Sequence, residues 1–248
     1  MLRFNKISKR YGHVHALKNI SFSIPENSIF GILGANGSGK STFMKILPGL
    51  IYNWTGEIFY KQNYLKRNSN QLKKNFGYLI EAPKFYEYLS AKQNLEILAR
   101  LSKVKSSRIL EVLDIVDLSN RCLDKVSTYS YGMKQRLGIA QALLHDPEII
   151  ILDEPNNGLD PNGINDMTRL IKDLKNQGKT ICLSTHNLKD VEEVCTDFTI
   201  FNKGINSKAT SMEAQLQSSN RWLLNVNEKD EAISRISKSM SFEILSVF

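Results

Sequence analysis

Three cysteines among 248 residues, Cys122, Cys182 and Cys195, form an odd and widely spaced set. Such a set excludes a disulfide framework and a zinc site built on paired cysteines, and it fits a reducing cytoplasm. Long apolar runs are also missing. The run Ile149-Ile150-Ile151-Leu152 stops at two carboxylates, far short of the roughly 20 apolar residues that cross a bilayer, so the chain is expected to be soluble on its own. Met1-Leu2-Arg3-Phe4 lacks the basic segment and apolar stretch of a secretory signal, and none is expected. No internal repeat or low-complexity segment stands out, and 42% hydrophobic with 23% charged residues excludes a disordered or collagen-like chain. Four histidines are present; His13 and His15 have no cysteine or carboxylate at ligand spacing and read as surface residues. What the chain does have is positive charge. Its 33 Lys and Arg against 25 Asp and Glu give +8, which favours an anionic partner such as nucleotide, nucleic acid or acidic lipid.

Apolar and polar residues alternate over 2–7 and 16–24, as in half-buried strands, before a break at Pro25. Ile29-Phe30-Gly31-Ile32-Leu33 is continuously apolar and predicts a strand buried on both faces. A glycine-rich turn follows, then a helix over 41–47 that Pro48-Gly49 ends. Between about residues 91 and 118, apolar residues recur at spacings of three and four, which predicts a helical block. Strand signals return at 149–152 and 180–184. Beyond Gln215 a strand-like 222–226, a helical 231–236 and a strand-like 242–244 predict a small appendage.

Gly34-Ala35-Asn36-Gly37-Ser38-Gly39-Lys40-Ser41 fits G-x-x-x-x-G-K-[ST] and stands between the buried strand and a helix, where the pattern marks a phosphate site. Glycines let backbone N–H groups converge on phosphate oxygens, the helix N-terminus adds positive potential, Lys40 reaches the terminal phosphates, and the Ser41 hydroxyl ligates Mg²⁺. A pair of carboxylates is as informative. Asp153-Glu154 ends an apolar run, and the carboxyl ends of such strands are where ligands bind in open α/β sheets. Asp153 is expected to hold Mg²⁺, and Glu154 to take a proton from attacking water.

With these in place, residues 1–215 resemble an ATP-binding-cassette (ABC) protein. Besides the phosphate loop, Gly77-Tyr78-Leu79-Ile80-Glu81 is similar to the family's Q-loop and Tyr129-Ser130-Tyr131-Gly132-Met133 to its signature. Asp153-Glu154-Pro155, Gly158-Leu159-Asp160-Pro161 and Ser184-Thr185-His186 look like the Walker B motif, the D-loop and the switch histidine. The resemblance implies a P-loop NTPase (RecA-like) α/β core, with an N-terminal antiparallel β subdomain and a helical insertion at about 82–135. It also implies two cassettes sandwiching two ATP molecules head to tail. Glu154 and His186 would be catalytic. Tyr11, Gly34, Asn36, Gly37, Ser38, Gly39, Lys40, Ser41, Thr42, Glu81, Ser130, Gly132 and Asp160 would contact nucleotide, Tyr11 by stacking on adenine, and Ser41, Asp153 and Glu81 would contact the metal.

Three positions depart from the family's frequent pattern: Tyr131, Asn156 and above all Glu81, which stands where glutamine is usual. A glutamate keeps an oxygen ligand but adds negative charge beside Asp153 and Glu154, which is expected to alter coupling or metal affinity. The motifs and the missing span imply a peripheral ATPase at the cytoplasmic face of the membrane, docked on separate permease subunits of an exporter and paired with a second cassette; the stretch from Leu79 to Leu95 is similar to cassettes of bacitracin-type and lantibiotic-immunity exporters, which implies antimicrobial peptides as the cargo. A different drug or lipid cargo is the alternative. A non-transport ABC ATPase acting on the ribosome or DNA is a further one, disfavoured by the single cassette and the short insertion, so no nucleic-acid partner is expected.

Overall fold

In the computed structural model, residues 1–65 and 74–218 are described. Met1–Glu213 forms one compact unit, and a second begins at Ala214. Strands β1 (Leu2–Tyr11), β2 (Val14–Ile24), β4 (Trp54–Tyr60) and β5 (Asn63–Tyr64) make an antiparallel sheet in the order β2-β1-β4-β5. A second sheet runs β10-β9-β3-β8-β7-β6, with β11 on β9. Its β3 (Ile29–Leu33), β6 (Phe76–Leu79), β7 (Ile149–Asp153), β8 (Thr180–Thr185) and β9 (Asp197–Asn202) are parallel, and β10 (Ile205–Asn206) and β11 (Thr210–Ser211) are antiparallel to β9.

The parallel strands read as unbroken apolar runs because both faces are covered. Ile149 and Ile151 of β7 join Phe30, Ile32, Cys182 and the aromatic cluster Phe4, Phe22, Phe43 and Phe201 beneath the antiparallel sheet. The alternate residues, Ile150 and Leu152, join Leu79, Ile181 and Leu183 under the helices on the other side. Period-two alternation therefore divides one strand between two cores.

The helices are α1 (Lys40–Met44), α2 (Ala91–Ser102), α3 (Ser107–Ile115), α4 (Tyr131–Leu143), α5 (Pro161–Asn176), α6 (Leu188–Val194) and α7 (Met212–Ser218). Ser90 starts α2 with a capping box: its hydroxyl accepts from Gln93 N at 3.1 Å, and its own N–H donates to Gln93 Oε1 at 2.9 Å.

Several boundaries differ from the sequence expectation. The helical block at 91–118 is two helices, because Lys103 takes a left-handed φ of 54° and ends α2. The helix expected over 41–47 ends at Met44, where α-helical bonds give way to the shorter Ile46 N to Phe43 O and Gly49 N to Ile46 O. Strands β1 and β2 are longer than expected, since they meet in a tight hairpin at Gly12-His13 that pairs Tyr11 with Val14. Helical structure also continues past residue 135, because α4 packs along β6 as far as Leu143. The segments expected at 222–226, 231–236 and 242–244 lie outside the described residues. Among the described residues, no helix is long and apolar enough to cross a membrane.

Candidate functional site

The loop between β3 and α1 wraps a cavity of about 440 Å³. Asn36, Gly37, Gly39, Lys40, Ser41, Thr42 and Glu154 line it, together with residues that sequence reasoning did not select: Val14, His15, Ala16, Lys18, Lys203 and Gly204. His15, expected to be an ordinary surface histidine, is exposed but belongs to this wall. The turn after β9 reaches the site by backbone bonds, with Gly204 N donating to Ser38 O at 3.0 Å and Lys18 N donating to Gly204 O at 2.6 Å. Tyr11 is not in the wall. It sits at the hairpin tip opposite Val14, with Lys9 Nζ 4.6 Å from its ring centre.

Backbone geometry makes the loop's glycines necessary at two places. A Cβ at Gly34 would stand 2.5 Å from Phe201 O and 2.6 Å from Ser38 Oγ. Gly39 has a φ of 111°, and a Cβ there would meet Ala16 O at 2.7 Å. We therefore expect Gly39→Ala to cost about 2–3 kcal/mol and to lower Tm by roughly 5–10 °C in thermal denaturation. Gly37→Ala isolates the clash, because Gly37 also has a left-handed φ, 78°, but a Cβ there meets nothing within 4 Å, and it should cost clearly less. An equal loss in the two variants would contradict the steric argument.

Lys40 is 4% exposed, and its ammonium is fully engaged. It donates to Gly34 O at 2.7 Å and Ala35 O at 3.3 Å, and pairs with Glu154 Oε1 at 3.3 Å. The other Glu154 oxygen is 3.2 Å from His186 Nδ1. An ionised carboxylate only accepts, so Nδ1 carries the proton. Glu154 thus joins the loop lysine to the histidine that follows β8. Its backbone holds a left-handed φ of 49°, unusual for a residue with a Cβ. Two bonds fix it there: Glu154 N donates to Ser184 O at 3.2 Å and to Ser184 Oγ at 3.0 Å. The Ser184 hydroxyl in turn donates to Asp153 Oδ1 at 2.5 Å. The motif around His186 gives Ser184 no role of its own; only the β7–β8 register, which sets Asp153 opposite Ser184, reveals one.

The remaining expected residues lie outside the cavity wall. Ser130 is the exposed N-cap of α4 and accepts from Met133 N at 3.2 Å, which leaves its own O–H free to donate. The signature is tied to the D-loop of the same chain. A Cβ on Gly158 would lie 3.2 Å from the Tyr131 ring, whose hydroxyl accepts from Gln135 Nε2 at 2.9 Å. Asp160 caps α5, accepting from Gly163 N at 2.9 Å. The Asn156 side-chain oxygen is buried without a partner. Glu81 is 68% exposed and pairs with Lys45, 2.5 Å away. The added negative charge expected at this position therefore has a counter-charge. The hydrogen bond to Lys45 holds the Glu81 carboxyl below its ordinary range, and the same bond raises Lys45, which the Asp153 charge raises further.

These features fit a phosphate chain. Ser38 Oγ is buried with no partner, the glycine cradle leaves no room for side chains, and a buried ammonium faces the cavity. Residues 17–157 match the family model described as ABC transporter. The chain belongs to the ABC transporter ATP-binding family. SrtF of Streptococcus pyogenes, a lantibiotic transport ATP-binding protein, is 41% identical over 78% of this chain and 83% of its own length. BcrA of Bacillus licheniformis, a bacitracin transport ATP-binding protein, is 40% identical over 82% of this chain and 67% of its own length. Among solved structures, the dimeric post-hydrolysis cassette MJ0796, bound to ADP and Pi, superposes with a TM-score of 0.74 at 26% identity over 86% of this chain and 99% of that chain. The cassette is thus an ATPase, of a family that hydrolyses ATP to power transport, works with membrane permease subunits and dimerises.

Proposed function

We propose that this cassette is the ATP-hydrolysing subunit of an exporter of antimicrobial peptides, held at the cytoplasmic face of the membrane by separate permease subunits and paired with a second copy of itself. The observation that carries its chemistry is the Glu154 carboxylate, shared between Lys40 at 3.3 Å and His186 at 3.2 Å. The cargo rests on the likeness to SrtF and BcrA.

In this reading the backbone from Gly34 to Thr42 wraps the phosphates, Lys40 holds the terminal ones, and Tyr11 covers the adenine from the hairpin tip. Ser41, Asp153 and Glu81 are the oxygen donors that would hold Mg²⁺, a hard cation that such ligands suit and that would neutralise phosphate charge. Glu154 accepts the proton of the attacking water, and His186 holds that water and the γ-phosphate. Ser130 and Gly132 of one chain serve the nucleotide of the other, where the free Ser130 O–H and the start of α4 meet phosphate. Asp160 lines the seam between the chains. The cassette ends near residue 215, with an appendage beyond it.

The cargo is tested by deleting the chain and challenging the strain with bacitracin and a panel of lantibiotics. Sensitivity to at least one of them should rise severalfold, and wild-type protein, but not Glu154→Gln, should restore resistance. Unchanged sensitivity to every peptide, with sensitivity to an unrelated drug or lipid-active compound, would assign another cargo.

A further inference from the structure

Lys45 directly follows α1 and lies one helical turn beyond Ser41, with its backbone N–H still donating to Ser41 O at 3.2 Å. Its ammonium is 2.5 Å from Glu81 Oε1. Glu81 itself has a φ of 65°, a conformation that residues with a Cβ seldom hold without support. Two residues on, Pro83 packs against α4: a Cβ at Gly138 would lie 3.1 Å from Pro83 and 2.8 Å from Leu79. The bend from Ile80 to Pro83 is thus held at one end by an ion pair to the phosphate-loop side and at the other by packing on the signature helix.

We propose that Lys45 is a positioning residue that acts through Glu81: its ammonium neutralises the carboxylate and fastens this bend beside the phosphate loop. An acidic residue here would otherwise add its charge to that of Asp153 and of an entering polyphosphate, all repelling one another. The two residues then form one functional unit. A glutamate at 81 requires a cation at 45, whereas a neutral glutamine at 81 leaves Lys45 with little to do.

The inference rests on the cleft being a nucleotide site, and the test keeps the two apart. Binding of a fluorescent ATP analogue is titrated in EDTA, so that no divalent cation bridges the carboxylates and phosphates. The proteins are wild type, Lys45→Met, Lys45→Arg, Glu81→Gln and the double variant Lys45→Met/Glu81→Gln. Methionine keeps the aliphatic stem of Lys45 and removes its charge. Lys45→Met should bind about fivefold more weakly than wild type. Lys45→Arg should restore most of the loss, and Lys45→Met in the Glu81→Gln background should change affinity less than twofold. An equal loss in both backgrounds would overturn the proposal, since Lys45 would then act on the nucleotide directly. No loss in either would overturn it too. Wild-type protein that fails to bind the analogue would instead overturn the nucleotide reading of the cleft.

Discussion

Glu154→Gln should bind ATP about as well as the wild-type cassette and hydrolyse it at least 100-fold more slowly. A positioned general base contributes roughly 10²–10⁴ in rate, and an amide of the same shape cannot accept the proton. One other contact changes: the amide NH2 would face His186 Nδ1, which must then accept rather than donate. The glutamine side chain would keep an oxygen for the Lys40 ammonium, which lies 3.3 Å from the native carboxylate, and the backbone bonds from residue 154 to Ser184 do not involve the side chain. The unusual φ of 49° would therefore persist. Steady-state phosphate release, measured beside equilibrium binding, separates the two effects. A rate within fivefold of wild type would show that another group takes the proton.

Removing the lysine should do the opposite, weakening binding before chemistry is reached. Lys40→Ala deletes a buried ammonium that two carbonyl oxygens and a carboxylate hold in place. Those three partners place Nζ at the cavity, and its two longer contacts, to Ala35 O and Glu154 Oε1 at 3.3 Å, are the ones an entering phosphate would replace with charge-assisted bonds. Their loss should weaken ATP binding by about 100-fold, read by calorimetry, which corresponds to one or two charged hydrogen bonds at about 1.5–3 kcal/mol each. The Gly34 and Ala35 carbonyls and Glu154 would be left facing a cavity that water can enter, so the fold should survive. Binding within tenfold of wild type would contradict the role of Lys40.

Both residues were visible in the sequence because each belongs to a pattern that local backbone physics enforces. A phosphate loop needs its glycines within a few residues, and a buried strand must run apolar until it reaches the carboxylates at its end. What stayed hidden depends on contacts made far along the chain or on conformations that leave no compositional mark. Trp54–Tyr60 pairs with β1, but the irregular register there, with Gly56 at a φ of 104° against the Lys6 carbonyl, blurs the alternation that would have announced a strand. Lys103 ends α2 in the left-handed region, where glycine is the usual signal. Ser184 enters the site through the register of β7 on β8, and the Lys203-Gly204 turn enters by folding over Ser38. Glu81 is unusual by its position in the motif, but its counter-charge Lys45 lies 36 residues earlier in the chain and only the fold brings the two together.

In the proposed function Lys40, Glu154 and His186 form one site in which ATP is bound and then cleaved by water that Glu154 deprotonates. The most direct test is to incubate the protein with ATP and Mg²⁺, remove free nucleotide rapidly, and identify by chromatography what remains bound. Wild-type cassette should carry ADP, and Glu154→Gln should carry intact ATP. ADP on Glu154→Gln in the same proportion as on wild type would contradict the claim.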